Sequence, residues 1–454
     1  MCYRIKLMAN RNKLIYLRSL GCNKNTVDSE IILSLLKGRG YKRTDNPDKA
    51  SKIIINTCAF IDDAKEEAID TIFELSQYKK KGSQLIVTGC FSQLYHREII
   101  AKLPEVDAVI GVGNLGAVLD AVESSDSRKD FSGSRDIGDV YKEYLIRDEL
   151  ITPPGYSYLK IAEGCSNKCS FCLIPKIKGK LRSRTLSQII EEAVSLEKTG
   201  VKEIILISQD TLSYGCDLNM RGGLKVLIKG LLENTGIKFF RLLYLRPDPE
   251  LLENIEIFEN SRLLPYFDIP IQHVSKKILK SMNRIGDPQL FSGIIKNLRD
   301  GVQNAVLRTS LIAGFPGETE DDFNTLLDFI EEVRFNHIGV FSFSPQRETE
   351  AFKLKGRVDK NIIEKRKNKL LELQKKISRE NLEEYIGKVY DVIIEEGFEP
   401  GDRYIGRSYH FAPEVDGVFL VRSKRRLKAG DLIKAKVTRA DDYDLHGYAI
   451  NSCY

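Results

Sequence analysis

Hydrophobic residues in the first hundred positions gather into three short runs, 14–20, 52–56 and 84–88. Each is rich in Ile, Leu or Val and is followed by a stretch with helical spacing. Continuous apolar runs alternating with amphipathic segments are the pattern of buried parallel strands crossed by helices. The spacing predicts helices over 27–39, 59–77 and 93–103, with Gly40 and Gly82 where the chain reverses. From 121 to 144 the residues are mixed and aperiodic, and Pro153-Pro154-Gly155 follows, which reads as a linker. The alternation then resumes, with apolar runs at 158–162, 203–208, 238–243, 266–269, 306–312 and 338–343 and amphipathic stretches such as 186–198 and 319–333. Six β-α units in succession predict a partial or complete α/β barrel, with chemistry at the carboxyl ends of its strands. The final segment is different: 389–395, 403–408, 417–420 and 432–439 are short strands divided by turns, the pattern of a small β-barrel. The expected organisation is α/β, with an open parallel-sheet domain over 13–125, a linker over 126–154, a (β/α) barrel core over 155–384 and a small β-barrel over 385–452.

The three opening runs share one feature. Cys22 follows Ser19-Leu20-Gly21, Cys58 follows Asn56-Thr57, and Cys90 follows Thr88-Gly89. Ligands of open parallel sheets bind outside the carboxyl ends of the strands, so the three thiols are expected on one edge, where they could hold a cluster. The bland reading is three small buried side chains. A second set, Cys165, Cys169 and Cys172, lies in the loop after the first strand of the central domain. Nine cysteines in the chain would give that spacing by accident roughly 0.004 times. Three thiolates suit an iron–sulfur cluster with one iron left open to a small molecule, whereas structural zinc wants a fourth Cys or His nearby, and none follows before Cys216. Cys216 itself reads as a buried thiol or a chance fourth ligand.

Other strand ends carry polar groups: Ser208-Gln209-Asp210-Thr211, Pro270-Ile271-Gln272-His273 and Gly314-Phe315-Pro316-Gly317-Glu318. Their bland readings are loop polarity, a hydrogen-bonding histidine and a helix entry.

At 454 residues and 42% hydrophobic, the chain has material for two or three domains. An odd number of cysteines, placed by motif, argues against a disulfide framework and for metal chemistry in a reducing, cytoplasmic setting. No apolar run approaches a membrane span, and the first residues lack the continuous apolar stretch of a secretory signal. Met8 offers a second start, which would leave residues 1–7, Cys2 included, as a leader. The net charge of +6 is too small to indicate a nucleic-acid partner.

Taken together, the motifs around Cys22, Cys58 and Cys90 and around Cys165, Cys169 and Cys172 closely resemble the methylthiotransferase family of radical S-adenosylmethionine enzymes, over about residues 13–451. Within it, Ile207-Ser208-Gln209-Asp210-Thr211, the run 268–275 and Leu181-Arg182-Ser183-Arg184 are similar to the branch that methylthiolates an aspartate of small-subunit ribosomal protein twelve. The branch acting on transfer-RNA adenosine typically has Asn at the place of Asp210 and Gln-Ser-Gly at that of Gln272-His273-Val274. Departures from the usual pattern are Asn23 and Thr185 for Pro, Arg246 for Tyr, and Gln346-Arg347-Glu348 for a more acidic turn.

The resemblance implies a radical S-adenosylmethionine core and a C-terminal TRAM domain, an oligonucleotide-binding-like barrel. It also implies two 4Fe-4S clusters on facing surfaces, one on each cysteine triad. S-adenosylmethionine would bind the open iron of the Cys165/Cys169/Cys172 cluster, with Phe171 near its adenine, and give the radical that removes hydrogen from the aspartate β-carbon. The Cys22/Cys58/Cys90 cluster would supply the sulfur, methylated by a second S-adenosylmethionine. No side chain is assigned as a catalytic acid or base. An electron donor such as flavodoxin or ferredoxin and a sulfur source are implied partners, and the chain is expected to act as a monomer. From Gly387 to Tyr454 there are 11 Lys+Arg against 11 Asp+Glu, a balance that suits a basic protein partner better than RNA. Glu395, Glu396, Glu399, Asp441, Asp442 and Asp444 form the acidic patch, while Lys424-Arg425-Arg426 could touch nearby ribosomal RNA. A non-catalytic electron carrier is the alternative from another class, but carriers commonly use four cysteines per cluster.

Overall fold

The computed structural model describes residues 13–124, 129–131, 147–398 and 401–450. Cys2, Cys453, Glu399, Met8 and most of the expected linker lie outside them. The described residues form two compact units, one of those up to Ile151 with 173–184, the other of 152–172 with those from Thr185 onward.

The first unit is built on six parallel strands: β1 (Leu14–Ser19), β2 (Lys42–Arg43), β3 (Lys52–Thr57), β4 (Gln84–Gly89), β5 (Ala108–Ile110) and β6 (Lys129–Phe131), in the spatial order β2-β1-β3-β4-β5-β6. Ile53, Ile54 and Ile55 are all fully buried, so β3 is apolar on both faces and its sequence shows no alternation. Helix α1 (Asn23–Gly38) follows β1, α2 (Asp62–Ser76) follows β3, α3 (Cys90–Lys102) follows β4 and α4 (Ala117–Glu123) follows β5. Ala68, Thr71, Ile72 and Leu75 form the buried stripe of α2, at helical spacing. The three strands read from the sequence are the central ones. The short strands β2, β5 and β6, of which β2 and β6 are the edges, are two or three residues long, too short to show a period, and β6 falls in the span expected to be linker.

The second unit contains two substructures. Its first sheet has six parallel strands, β7 (Tyr156–Lys160), β10 (Glu203–Ile207), β11 (Phe239–Leu242), β12 (Leu263–Asp268), β13 (Val306–Ala313) and β14 (His337–Ser342), in chain order across the sheet. In the chain, the short strands β8 (Ala162–Glu163) and β9 (Arg182–Ser183) flank the cysteine loop. Helices cover the connections. Pro288–Gly301 starts at an Asp287 cap and buries Phe291, Ile294, Ile295 and Leu298. Glu320–Val333 starts at a Thr319–Asp322 capping box, the helix entry expected after Gly317. Sequential parallel order with β7 and β14 as two unjoined edges gives a partial barrel.

The second substructure is a closed five-stranded barrel of β15 (Val389–Gly397), β16 (Arg403–Arg407), β17 (Phe419–Arg422), β18 (Leu432–Ala440) and β19 (Leu445–Ala449). Val392, Ile394, Phe419, Val421, Ala435 and Val437 are among its core residues. Four of its strands are legible in sequence; β19 is not, because Gly447 interrupts an otherwise short run. The glycine is required there, since a Cβ would stand 2.0 Å from the Lys436 carbonyl oxygen on β18.

The loop between β16 and β17 is seated against the amino-terminal half of the larger sheet. The Tyr409 carbonyl accepts from Arg241 Nη1 at 2.9 Å, and the His410 carbonyl lies 2.7 Å from His337 Nε2. Asp416 accepts from the Tyr266 hydroxyl, from Ala412 N at 2.8 Å and from Arg308 Nε at 3.3 Å. Glu203, the first residue of β10, accepts from Arg241 Nε and from Arg407 Nη1, each at 2.6 Å, and all three side chains are buried. The two substructures therefore share one polar interior.

Candidate active site

In the first unit, β1, β3 and β4 lie side by side with their carboxyl ends in register. Ser19 pairs with Asn56, Asn56 with Thr88, and Thr57 with Gly89. The next residues in the chain bring Cys58 directly after β3, Cys90 at the start of α3 and Cys22 at the cap position of α1. Neighbouring strands are about 4.8 Å apart, so three adjacent ends place their thiols within one small patch.

Side chains from the same motifs lock this edge. Asn25 Nδ2 donates to the carbonyls of Leu20 (2.9 Å) and Thr57 (3.0 Å), and Asn56 Nδ2 donates to the Asn25 carbonyl (2.9 Å) and Ser29 Oγ (3.0 Å). Leu20 N donates to the Asn56 carbonyl at 2.8 Å, and Ser92 Oγ to the Ile110 carbonyl at 2.7 Å. Gly21 has a φ of +83°, and a Cβ on it would stand 2.5 Å from Cys58 Cβ and 2.8 Å from its Sγ. The backbone just before Cys22 thus passes directly over Cys58. Cys58 and Cys90 are buried and Cys22 is exposed. Burial pushes the Cys58 thiol up, and the nearby Cys22 adds to the shift.

In the second unit, Cys165, Cys169 and Cys172 are half-buried in the loop after β8, at the carboxyl end of the larger sheet. The loop is fastened to the turn that follows the helix Lys276–Ser281. Ser170 N donates to the Met282 carbonyl at 3.0 Å, and Ser170 Oγ to the Ser281 carbonyl at 2.7 Å. Burial raises the Cys165 thiol against the opposing hydrogen bonds of Asn167, with Asp210 and Cys169 adding to the rise. Arg284 Nη1 lies 3.7 Å from Cys169 Sγ. Phe171 is half-buried and meets Phe315 edge to face, with ring centroids 6.4 Å apart.

Asp210 sits beside this loop. Its Oδ2 accepts from Asn167 Nδ2 and Ser213 Oγ, each at 2.7 Å, and lies 3.6 Å from Arg246 Nη1. Arg246 also donates to Asn167 Oδ1 at 3.3 Å. Gln209 Nε2 donates to Glu163 Oε1 at 3.0 Å, and the buried Lys160 holds Glu163 Oε2 at 2.7 Å. Gln209 Oε1 and Asp210 Oδ1 are buried without a protein hydrogen-bond partner. Open acceptors in such a corner fit a ligand that completes them.

The remaining strand-end groups are structural. His273 is fully buried, its Nδ1 accepts from Val274 N and Ser275 N at 2.9 Å, and burial lowers its pKa to about 4. It is a neutral loop hydrogen-bonder. Glu318 accepts from Gly314 N (2.6 Å), Phe315 N (3.1 Å) and Arg366 Nη1 (2.9 Å), holding the turn that leads into the next helix. Cys216 is exposed, in the single turn Cys216–Leu218, which corrects the expectation of a buried thiol. Gly215, left-handed at φ +84°, turns the chain just ahead of it.

Six thiols thus fall into two groups of donors suited to iron–sulfur chemistry. Among the described residues, no three His, Cys, Asp or Glu side chains are gathered closely enough to hold a single metal ion. A multi-iron cluster is wider than one ion, so its thiolates stand further apart. The sequence did not point to Asn167, Arg246 or Arg284 as neighbours of the thiols. Arg284 lies 115 positions from Cys169 in the chain, and only the fold joins them.

Comparison with known proteins adds three family matches: "Uncharacterized protein family UPF0004" over residues 14–111, "Radical SAM superfamily" over 159–330 and "TRAM domain" over 386–450. The ribosomal protein uS12 methylthiotransferase RimO of Thermoanaerobacter sp. (strain X514) is 44% identical over 442 residues, 94% of this chain and 98% of that one. The protein of the same name from Aquifex aeolicus (strain VF5) is 44% identical over 432 residues, 94% of this chain and 95% of that one. Among solved structures, the radical S-adenosylmethionine methyltransferase TsrM from Kitasatospora setae, with cobalamin and a [4Fe-4S] cluster bound, matches with a TM-score of 0.54. It is 12% identical, with coverage of 75% of this chain and 77% of that one, a likeness of fold.

Proposed function

The chain belongs to the ribosomal protein uS12 methylthiotransferases of the RimO family, and from that premise we propose that it places a methylthio group on the β-carbon of an aspartate of uS12. It is a radical S-adenosylmethionine methylthiotransferase. In the proposed reading, Cys22, Cys58 and Cys90 hold one 4Fe-4S cluster, and Cys165, Cys169 and Cys172 hold another. When bound, the clusters and two molecules of S-adenosylmethionine supply the electron, the radical, the sulfur and the methyl group, chemistry no side chain of this protein can provide.

The protein's own residues do the rest. The in-register ends of β1, β3 and β4 fix three thiols on one edge, and this observation carries the reading of a sulfur-donating site. The polar lattice of Asn25, Asn56 and Ser29 prevents those ends from spreading. In the second unit, Ser170 holds the cysteine loop against the turn at Met282, and the Phe171–Phe315 pair offers an apolar wall for a flat ring. Gln209 Oε1 and Asp210 Oδ1 are acceptors for a ligand's N–H or O–H groups. Glu163 and Asp210 each face a cation, Lys160 at 2.7 Å and Arg246 at 3.6 Å, which fixes both carboxylates as oriented acceptors. The electron donor is proposed to be a flavodoxin or ferredoxin, and the cytoplasm, where ribosomes are, the place of action.

The test uses anaerobically reconstituted protein given S-adenosylmethionine, a reductant and isolated small ribosomal subunits, with transfer RNA treated in parallel. Mass spectrometry is expected to find a methylthio-aspartate on uS12 that disappears in the Cys58→Ala variant. Modification of transfer RNA alone would overturn the substrate assignment.

A further inference from the structure

The guanidinium of Arg284 is tied at one end and aimed at a thiol at the other. Its Nη2 donates to the carbonyl of Pro270, just past the end of β12, at 2.8 Å, while Nη1 points at Cys169 Sγ from 3.7 Å. Its position follows from the backbone. The helix Lys276–Ser281 ends at Met282, Asn283 turns into the left-handed region at φ 54°, and Arg284 N bonds back to the Leu279 carbonyl at 2.8 Å. Asn283 Nδ2 donates to Glu350 Oε2 at 3.1 Å, and Ala351 N closes the circuit on the Ser170 carbonyl at 2.8 Å, inside the cysteine loop itself. Among the described residues, no carboxylate forms an ion pair with Arg284. A half-buried, orientationally fixed cation without a carboxylate is poised for a different anion, and the anion in front of it is a ligating thiolate.

We propose that Arg284 is a tuning residue for the cluster held by Cys165, Cys169 and Cys172, setting how readily that cluster accepts its electron. The inference rests on the reading of those three cysteines as cluster ligands. Reduction brings one electron from a low-potential one-electron donor and adds one negative charge to the cluster and its thiolates, with no bond made or broken at Arg284. A fixed positive charge and an N–H directed at the ligand sulfur stabilise the more negative state, so they raise the reduction potential. Hydrogen bonds to cluster sulfurs and local charge are two of the means by which a protein sets that potential. The Pro270 anchor matters because a mobile cation would be shared with solvent and contribute far less.

The experiment is a potentiometric titration followed by electron paramagnetic resonance on the full reconstituted chain. A background carrying Cys22→Ala, Cys58→Ala and Cys90→Ala leaves the second cluster as the observed signal. Arg284→Gln is expected to retain iron and sulfide while its reduction becomes at least tenfold less favourable, a drop of about 59 mV for one electron. Arg284→Lys keeps the charge but cannot bond Pro270 and reach Cys169 together, so it is expected to fall between Gln and the parent. An unshifted potential in an iron-loaded Arg284→Gln protein would overturn the inference and leave Arg284 as a structural tie. If the Gln variant does not load iron, an unshifted potential in Arg284→Lys overturns it equally. A parent background that binds no iron would instead overturn the ligand assignment itself, and a further Cys169→Ala change that removed no iron would do the same.

Discussion

Arg407 offers the most demanding test of how the small barrel is joined to the larger sheet. It is buried, donates to Glu203 at 2.6 Å and to Glu395 at 2.9 Å, and its guanidinium stands 5.1 Å from the centre of the Tyr156 ring. Replacing it by Met keeps the volume and removes the charge. Glu203 would then be left fully buried with Arg241 as its one remaining cation. Removing one member of such a buried set typically costs about 3–5 kcal/mol, because the partner's desolvation is no longer offset. The cation–π contact adds on the order of 1 kcal/mol, while Glu395 is partly solvated and recovers water. A net loss of about 4 kcal/mol corresponds to a fall in melting temperature on the order of 10 °C for a unit of this size. Circular dichroism during heating and during urea titration would measure it. The same reasoning requires that Glu203→Gln in the Arg407→Met background deepen the loss, since the buried Arg241 is then left without its carboxylate. A loss below about 1 kcal/mol in the single variant, or a double variant no worse than the single one, would refute the account.

Four further outcomes follow from the geometry. Gly21→Ala would force a Cβ into Cys58 at a positive φ, so it should destabilise the first unit by about 1–3 kcal/mol and roughly halve the bound iron, measured by calorimetry and iron analysis. Gly447→Ala should open the small barrel between β18 and β19, costing about 3 kcal/mol in urea unfolding and exposing the Lys436 and Gly447 amides to hydrogen exchange. His273 titrates near pH 4 when folded, below its ordinary 6.5, so the unfolded chain binds the extra proton between those values. Its contribution, up to about 3 kcal/mol, is present above pH 6.5 and is lost as the pH falls toward 4; denaturant titrations should show this slope in the native protein and a shallower one in His273→Gln. Burial opposes the ionisation of Glu203, but Arg241 and Arg407 prevail and hold its pKa below 4.5. Its stabilisation is therefore complete above pH 4.5 and fails as the pH drops through the lower folded value, and Glu203→Gln should flatten unfolding curves in that acid window.

The long apolar runs of the chain were readable because burial on both faces leaves a continuous signature, as in β3, and helical stripes such as that of α2 repeat often enough to be counted. The cysteine edge was legible for a related reason: three strands ended in the same small-residue-then-cysteine step, and parallel pairing brought the steps together. The short outer strands β2 and β6 and their neighbour β5 escaped because two or three residues have no period. Strand β19 escaped because Gly447 answers to the neighbouring backbone, not to any propensity of its own segment. What no local reading could reach were partnerships between distant residues: Arg284 with Cys169, Arg246 with Asp210, Arg407 with Glu203. A lone arginine looks alike in a solvated turn and beside a thiol until the fold chooses its neighbours. The departure at Arg246 is a case in point, since the side chain noted as unusual proves to hold Asp210 and Asn167 in place.

The loop between β16 and β17 bears on how this protein can be taken apart. Because Asp416 and the carbonyls of Tyr409 and His410 supply acceptors to Arg308, Arg241 and His337, deleting the small barrel would take these acceptors away and uncover the buried side chains around them, such as Tyr156 and Tyr266. The C-terminal module is thus a structural keel of the enzyme, not an interchangeable attachment. A shortened chain lacking it should be insoluble, and grafting a relative's barrel in its place should succeed only when the acidic tip of that loop travels with it.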